Sequence, residues 1–149
     1  MIVSENLEKV RLKIDQACRR ANRRPEEIRV IAVTKYVSDE RALAVLEAGI
    51  HDLGENRDDG FLNKWEKIGE RATWHFIGTL QSRKVKKVID KVDYIHSLDR
   101  LSLAKEIDKR AEHPVKCFVQ VNVSGEETKH GLRAGDVVSF IEQLEAYKN

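Results

Sequence analysis

The chain has 149 residues, with 27 basic and 25 acidic side chains and a formal charge of +2. That length suits a single domain able to bury roughly 68–70% of its unfolded surface, so no disulfide or metal is needed to hold a core. An apolar fraction of 41% excludes a disordered or fibrous chain, and so small a positive surplus argues against a general polyanion binder.

Residues 4 to 21 place Leu7, Val10, Ile14, Ala17 and Ala21 at steps of three and four, which predicts an amphipathic helix with Ser4 available as its N-cap. After Pro25, the run Ile28 to Thr34 is short, apolar and β-branched, the pattern of a strand covered on both faces. Ser38, Asp39 and Glu40 open a helix with Leu43, Val45 and Leu46 inward, closed by Gly49, and His51 to Glu55 is a short strand candidate. Asp58 and Asp59 open the next helix, closed by Gly69, and Thr73 to Ile77 reads as a third strand. A helix with Val85, Val88 and Ile89 on one face leads to a fourth strand at Asp93 to His96. Asp99 is expected to cap a helix through Ile107, Val115 to Val123 reads as a fifth strand, and a last helix runs from about Asp136 to Tyr147. Strands alternating with helices imply βαβ units and a parallel sheet with right-handed crossovers. Two α/β architectures fit: an open doubly wound sheet, or the first five βα units of an eight-fold barrel. No linker or low-complexity stretch divides residues 1–149, so they are expected to form one domain.

Cys18 and Cys117 stand far apart and outside any C-x-x-C, as free thiols in a reducing compartment do. The first twenty residues carry Glu5, Glu8 and Asp15 and no apolar run, so no signal peptide is visible. Nothing approaches the roughly 18 continuous apolar residues of a membrane span, and the chain reads as soluble and cytoplasmic. The five His show no metal-ligand spacing, and neither a G-x-G-x-x-G nor a P-loop is present.

Both architectures place their sites at the C-terminal ends of the strands, and here those ends are polar: Thr34-Lys35, Glu55-Asn56, His75, His96-Ser97 and Gln120 to Asn122. Lys35 shares the parity of Ile31 and Val33. If it points inward, loss of solvation favours a neutral, nucleophilic amine; the alternative is a lysine that has left the strand and snorkels to water. His75, between Trp74 and Phe76, also suits a hydrogen-bonded core histidine, and Asn56 suits a turn. Asn122 ends an apolar strand where a β-branched residue is the ordinary choice. Arg83 to Lys87 form the one basic cluster, read first as a solvated helix face and second as a phosphate or RNA contact.

The segments VIAVTK (30–35), AGIHDLGEN (48–56), WHFIGTLQSRK (74–84), IHSLDRL (95–101) and VQVNVSGEETKHGL (119–132) resemble, in order, those of the pyridoxal-phosphate homeostasis proteins. That family is in turn similar to the N-terminal barrel domain of alanine racemase. The resemblance implies a partial (β/α)8 TIM-like barrel with an N-terminal helix. It also implies pyridoxal 5'-phosphate held as an aldimine by Lys35, with Asn56, His75 and Asn122 around the cofactor and Lys84 structural or lining the rim. It further implies a carrier or regulator of vitamin B6 and amino-acid or keto-acid balance without established turnover, with cofactor-dependent enzymes as recipients. An alanine-racemase-like enzyme acting on amino acids and an RNA- or protein-interaction module using residues 83–87 stand as alternatives. Arg57 departs from the family, where an aromatic residue commonly follows GEN. The family's phosphate-gripping motifs lie in later βα units. The chain is therefore expected to be a shortened form of a longer protein, with weak or absent cofactor binding and exposed strand edges that invite association.

Overall fold

The structure, a computed structural model, describes residues 2–149. Helix α1 (Val3–Ala21) precedes the alternation β1 (Ile31–Val33), α2 (Asp39–Glu47), β2 (Asp52–Glu55), α3 (Asp58–Ile68), β3 (Thr73–Phe76), α4 (Val85–Val88), β4 (Tyr94–Leu98), α5 (Leu101–Arg110) and β5 (Lys116–Val119). Two short strands follow, β6 (Val121–Asn122) and β7 (Leu132–Arg133), and then α6 (Val137–Leu144). The five main strands are all parallel and lie in the order β1-β2-β3-β4-β5. A doubly wound sheet reverses direction at a switch point, whereas an arc in which every strand lies beside its sequence neighbours is a segment of a barrel wall. The order therefore decides between the two expected architectures in favour of the partial barrel.

Several boundaries differ from expectation for local reasons. Helix α1 begins at Val3, so Ser4 lies inside the first turn and caps nothing. Asp99 does not cap α5 either: its Oδ1 accepts from Arg100 Nη1 at 3.1 Å, and Arg100 stands at the N-cap position. Ser38 does cap α2, its hydroxyl accepting from the Arg41 N–H at 3.2 Å. The helix expected around Val85 to Ile89 is a single turn preceded by a 3-10 turn at Ser82–Lys84. The long fifth strand breaks at Gln120. Its N–H donates to Leu98 O (2.8 Å) while its carbonyl accepts from Leu132 N–H (2.9 Å), so the chain passes from pairing with β4 to pairing with β7. Gly131 makes the second pairing possible: its φ is +117°, and a Cβ there would lie 2.7 Å from Asn122 N.

The alternation of side chains gives the sheet two faces. Leu53, Trp74, Phe76 and Ile95 face the helices and are buried against Phe61, Ile68, Val85, Val88, Leu103 and Ile107. Each such side chain contributes about 1.5–3 kcal/mol through removal from water. Phe61 meets Trp74 edge to face (5.2 Å, 77°), and the Trp74 indole N–H donates to Gly69 O at 2.9 Å. The concave face is open: Val33 on β1 is 52% exposed and Phe118 on β5 is 54% exposed. The first strand is thus covered on one face and not on both as expected, because no layer among the described residues packs on the concave side. Cys18 and Cys117 are free thiols, and burial pushes the Cys117 thiol up to about 11. No helix among the described residues is long and apolar enough to cross a membrane.

Candidate functional site at the strand ends

Pairing places Val33 beside Gly54, Gly54 beside His75, His75 beside Tyr94 and Tyr94 beside Lys116. These residues form one layer of the concave face, and Lys35, Asn56, Ile77, His96 and Phe118, two residues further along the chain in each case, continue the alternation toward the C-terminal rim, the first three just past the ends of their strands. The ladder stops short of Lys35, which lies in the turn after β1, half-buried. Its ammonium nitrogen stands 5.6 Å from the Tyr36 ring centroid and has no hydrogen bond or ion pair among the described residues. Tyr36 itself has φ +65° and is 83% exposed, a non-glycine residue held in the left-handed region beside the lysine.

The end of β1 is fixed by a buried ionic cluster. Lys64 of α3 donates to Glu55 Oε1 at 2.6 Å and to the Thr34 carbonyl at 2.8 Å, and the Thr34 hydroxyl donates to the same Glu55 oxygen at 3.0 Å. Glu55 and Lys64 are 2% and 4% exposed. Glu55, which the sequence suggested as part of the polar rim, therefore points the other way, into the helix layer. It ties β2 to α3 and holds the peptide immediately before Lys35.

Asn56 lies half-buried in the layer of Lys35, and its side-chain amide has no hydrogen-bond partner among the described residues. Gly78 packs directly on it: a Cβ there would stand 2.7 Å from Asn56 O and 2.8 Å from Asn56 Cβ. Asn122 is engaged locally. Its amide donates to Glu126 O (2.8 Å), and its carbonyl oxygen accepts from Ser124 Oγ and Gly125 N, both at 3.1 Å, so it orders the loop between β6 and β7.

His75 sits one layer deeper than Lys35, only 2% exposed, between two partners: Nε2 is 2.8 Å from Asp52 Oδ1 and Nδ1 is 2.9 Å from His96 Nε2. Its ring stacks on Tyr94 (4.5 Å, 7°). The Tyr94 hydroxyl accepts from Arg29 Nη1 (2.7 Å) and lies 3.3 Å from Lys116 Nζ, and these hydrogen bonds pull the phenol below its ordinary pKa. Burial lowers the pKa of His96, with the nearby His75 acting in the same direction. Asp52 and Tyr94 were not singled out from the sequence. The available signal was parity, since Asp52 shares that of Gly54 and Tyr94 that of His96 in strands whose other face is apolar.

In the basic cluster, Lys84 and Lys87 both turn to Asp58, at 3.1 and 3.7 Å. Burial pushes the Asp58 carboxyl up, but the hydrogen bond and charge of Lys84 together with the charge of Lys87 outweigh it and hold the pKa below the usual value. Two of the four charges are thus spent on Asp58 of α3.

No protein-family model matches the chain. Against curated proteins, it is 40% identical over 146 residues to the pyridoxal phosphate homeostasis protein of Aquifex aeolicus, covering 95% of this chain and 64% of that protein. The chain is a homologue of the pyridoxal phosphate homeostasis proteins. Among solved structures, PipY of Synechococcus elongatus PCC7942 with PLP bound superposes with a TM-score of 0.75 at 26% identity, over 91% of this chain and 65% of PipY. A crystal structure of an unknown protein from Bifidobacterium adolescentis superposes with a TM-score of 0.88 at 28% identity, over 99% of this chain and 65% of that one. Alanine racemase from Corynebacterium glutamicum shares the fold at 16% identity, with a TM-score of 0.63 over 78% of this chain and 35% of the racemase. The chain therefore spans about two thirds of the length of its homeostasis-protein relatives.

The residues at the rim suit the aldehyde end of pyridoxal phosphate. An amine without an acidic partner is available for carbonyl chemistry, and a free amide beside it can hydrogen-bond a polar ring substituent.

Proposed function

We propose that this chain carries, at Lys35, the residue that holds pyridoxal 5'-phosphate in the full-length form, binds the cofactor itself only weakly, and serves in vitamin B6 homeostasis, keeping and releasing the cofactor for enzymes that depend on it. The observation that carries this reading is the unpaired Lys35 amine at the C-terminal end of a barrel strand, in the same layer as the unpartnered Asn56 amide. When bound, the cofactor supplies an aldehyde carbon to which an amine nitrogen bonds with loss of water. Lys35 is the covalent anchor, Asn56 orients the ligand at the rim, His75 supports the site from the layer beneath, and Asn122 shapes the neighbouring loop. The Glu55–Lys64–Thr34 cluster holds the Lys35 backbone in place, so the lysine need not be ordered at the moment of reaction.

The test is to incubate the chain with pyridoxal phosphate, reduce with borohydride and map the modified peptide. Label on Lys35, lost in Lys35→Ala, is the expected result. Label elsewhere with Lys35 untouched would overturn the assignment.

A further inference from the structure

The concave face carries a run of three titratable groups that cofactor anchoring alone does not require. Asp52, His75 and His96 come from three adjacent strands and touch end to end, at 2.8 and 2.9 Å. A carboxylate oxygen only accepts, so the hydrogen between Asp52 and His75 sits on His75 Nε2. With the His75 ring neutral, its Nδ1 is a lone pair, and the 2.9 Å contact then has His96 donating from Nε2. Nδ1 of neutral His96 is left as an acceptor, with no hydrogen-bond partner among the described residues and not sealed from solvent. One carboxylate thereby sets the tautomers of two rings. Stacking of His75 on Tyr94 and the tilted contact of His96 with Phe118 (4.6 Å, 37°) restrain both rings.

The open end of this run lies in the layer of Lys35 and Asn56, while the Asp52 end lies deeper, 3.7 Å from Arg29 Nε. The ionisable groups gathered around it are Arg29 ahead of β1, Asp52 on β2, His75 on β3, Tyr94 on β4 and Lys116 on β5. We propose that Asp52, His75 and His96 form a proton file whose open end, His96 Nδ1, takes and returns the proton exchanged when an amine and a carbonyl ligand join or part at Lys35. Uptake at His96 Nδ1 forms one N–H bond as an N–H bond of the attacking amine breaks, and return of that proton to the departing oxygen breaks it again and makes an O–H bond of the water that leaves. The His96 Nε2 proton then passes to His75 Nδ1 and the His75 Nε2 proton to Asp52, each step breaking one N–H bond and making one bond to hydrogen, with no atom or electron gained or lost. His96 is the acid–base group and Asp52 and His75 position it. This rests on the reading of Lys35 given above.

Two measurements separate the parts. In the ligand-free chain, 15N spectra of the imidazole rings should show both histidines protonated at Nε2, with a coupling across the His75–His96 hydrogen bond. Asp52→Asn, nearly isosteric, should move the His96 titration to lower pH from two rings away. A proton on His75 Nδ1, or an unmoved His96 midpoint, overturns the file. The second measurement is the initial rate at which pyridoxal phosphate becomes trappable on Lys35, followed against pH. The wild-type rate should change with the His96 midpoint, by up to about tenfold per pH unit below it. His96→Gln should remove that component while leaving the final extent of labelling intact. An identical profile in His96→Gln overturns the acid–base role. Absence of label on Lys35 at every pH overturns that role together with the Lys35 reading, and the ring spectra still decide the file.

Discussion

The two faces of the five-stranded sheet are built by different forces. The helix-covered face is apolar, with Leu53, Trp74, Phe76 and Ile95 nearly sealed from water, and it encloses the ion pair of Glu55 with Lys64. The concave face is ordered by hydrogen bonds and ring stacking among Asp52, His75, Tyr94 and His96, with Val33 and Phe118 left half-exposed. Packing fixes where the strands lie, and the polar face uses that rigidity to hold groups that titrate. A change on the covered face should therefore cost stability, and one on the concave face should alter protonation and ligand chemistry first.

The largest expected effect breaks the ion pair on the covered face. Lys64→Met strands the Glu55 carboxylate in the core and should cost about 3–5 kcal/mol, whereas Glu55→Leu combined with Lys64→Met should recover most of that. Urea unfolding of the single and double variants measures both, and an additive double variant would show that the charges do not act as a pair. Next, Gly78→Ala presses a methyl group onto Asn56 and should cost about 1–3 kcal/mol, with slower labelling of Lys35. Unchanged unfolding and labelling would show that the rim yields there.

A smaller effect follows from His96. Its pKa in the fold lies below the unfolded value, so the neutral ring belongs to the native state. The stability it contributes is complete above the unfolded value of about 6.5 and is lost as pH falls through the folded value. Unfolding midpoints between about pH 7 and 5 should decline, and His96→Gln should flatten part of that slope. Smallest of all, Arg23→Ala removes an exposed bond to Glu27 (3.2 Å) and should change stability by no more than about 0.5 kcal/mol.

Much of this organisation is visible in the residues. Apolar runs ending in polar residues located all five main strands and, through parity, the position of Lys35 at a strand end. The break at Gln120 and the two-residue β7 were invisible, because a strand of that length has no periodicity to detect. The Glu55–Lys64 pair escaped for another reason. Both charges sit where a sequence reader expects solvent or a site, and only the packing of α3 on β2 shows that they satisfy each other in the interior. Asp52 escaped because its partner is His75, on the neighbouring strand, a relation that register alone supplies.

The order of the strands also bears on how the chain reaches this state. Ile31 pairs with Asp52, Asp52 with Thr73, His75 with Tyr94 and Tyr94 with Lys116, at separations of 21, 21, 19 and 22 residues. Each pairing closes a loop of nearly the same size onto a strand already made upstream, so the entropic cost of closure is repeated rather than compounded. The sheet can thus grow by accretion in the direction of synthesis, each nascent strand meeting its template as it leaves the ribosome.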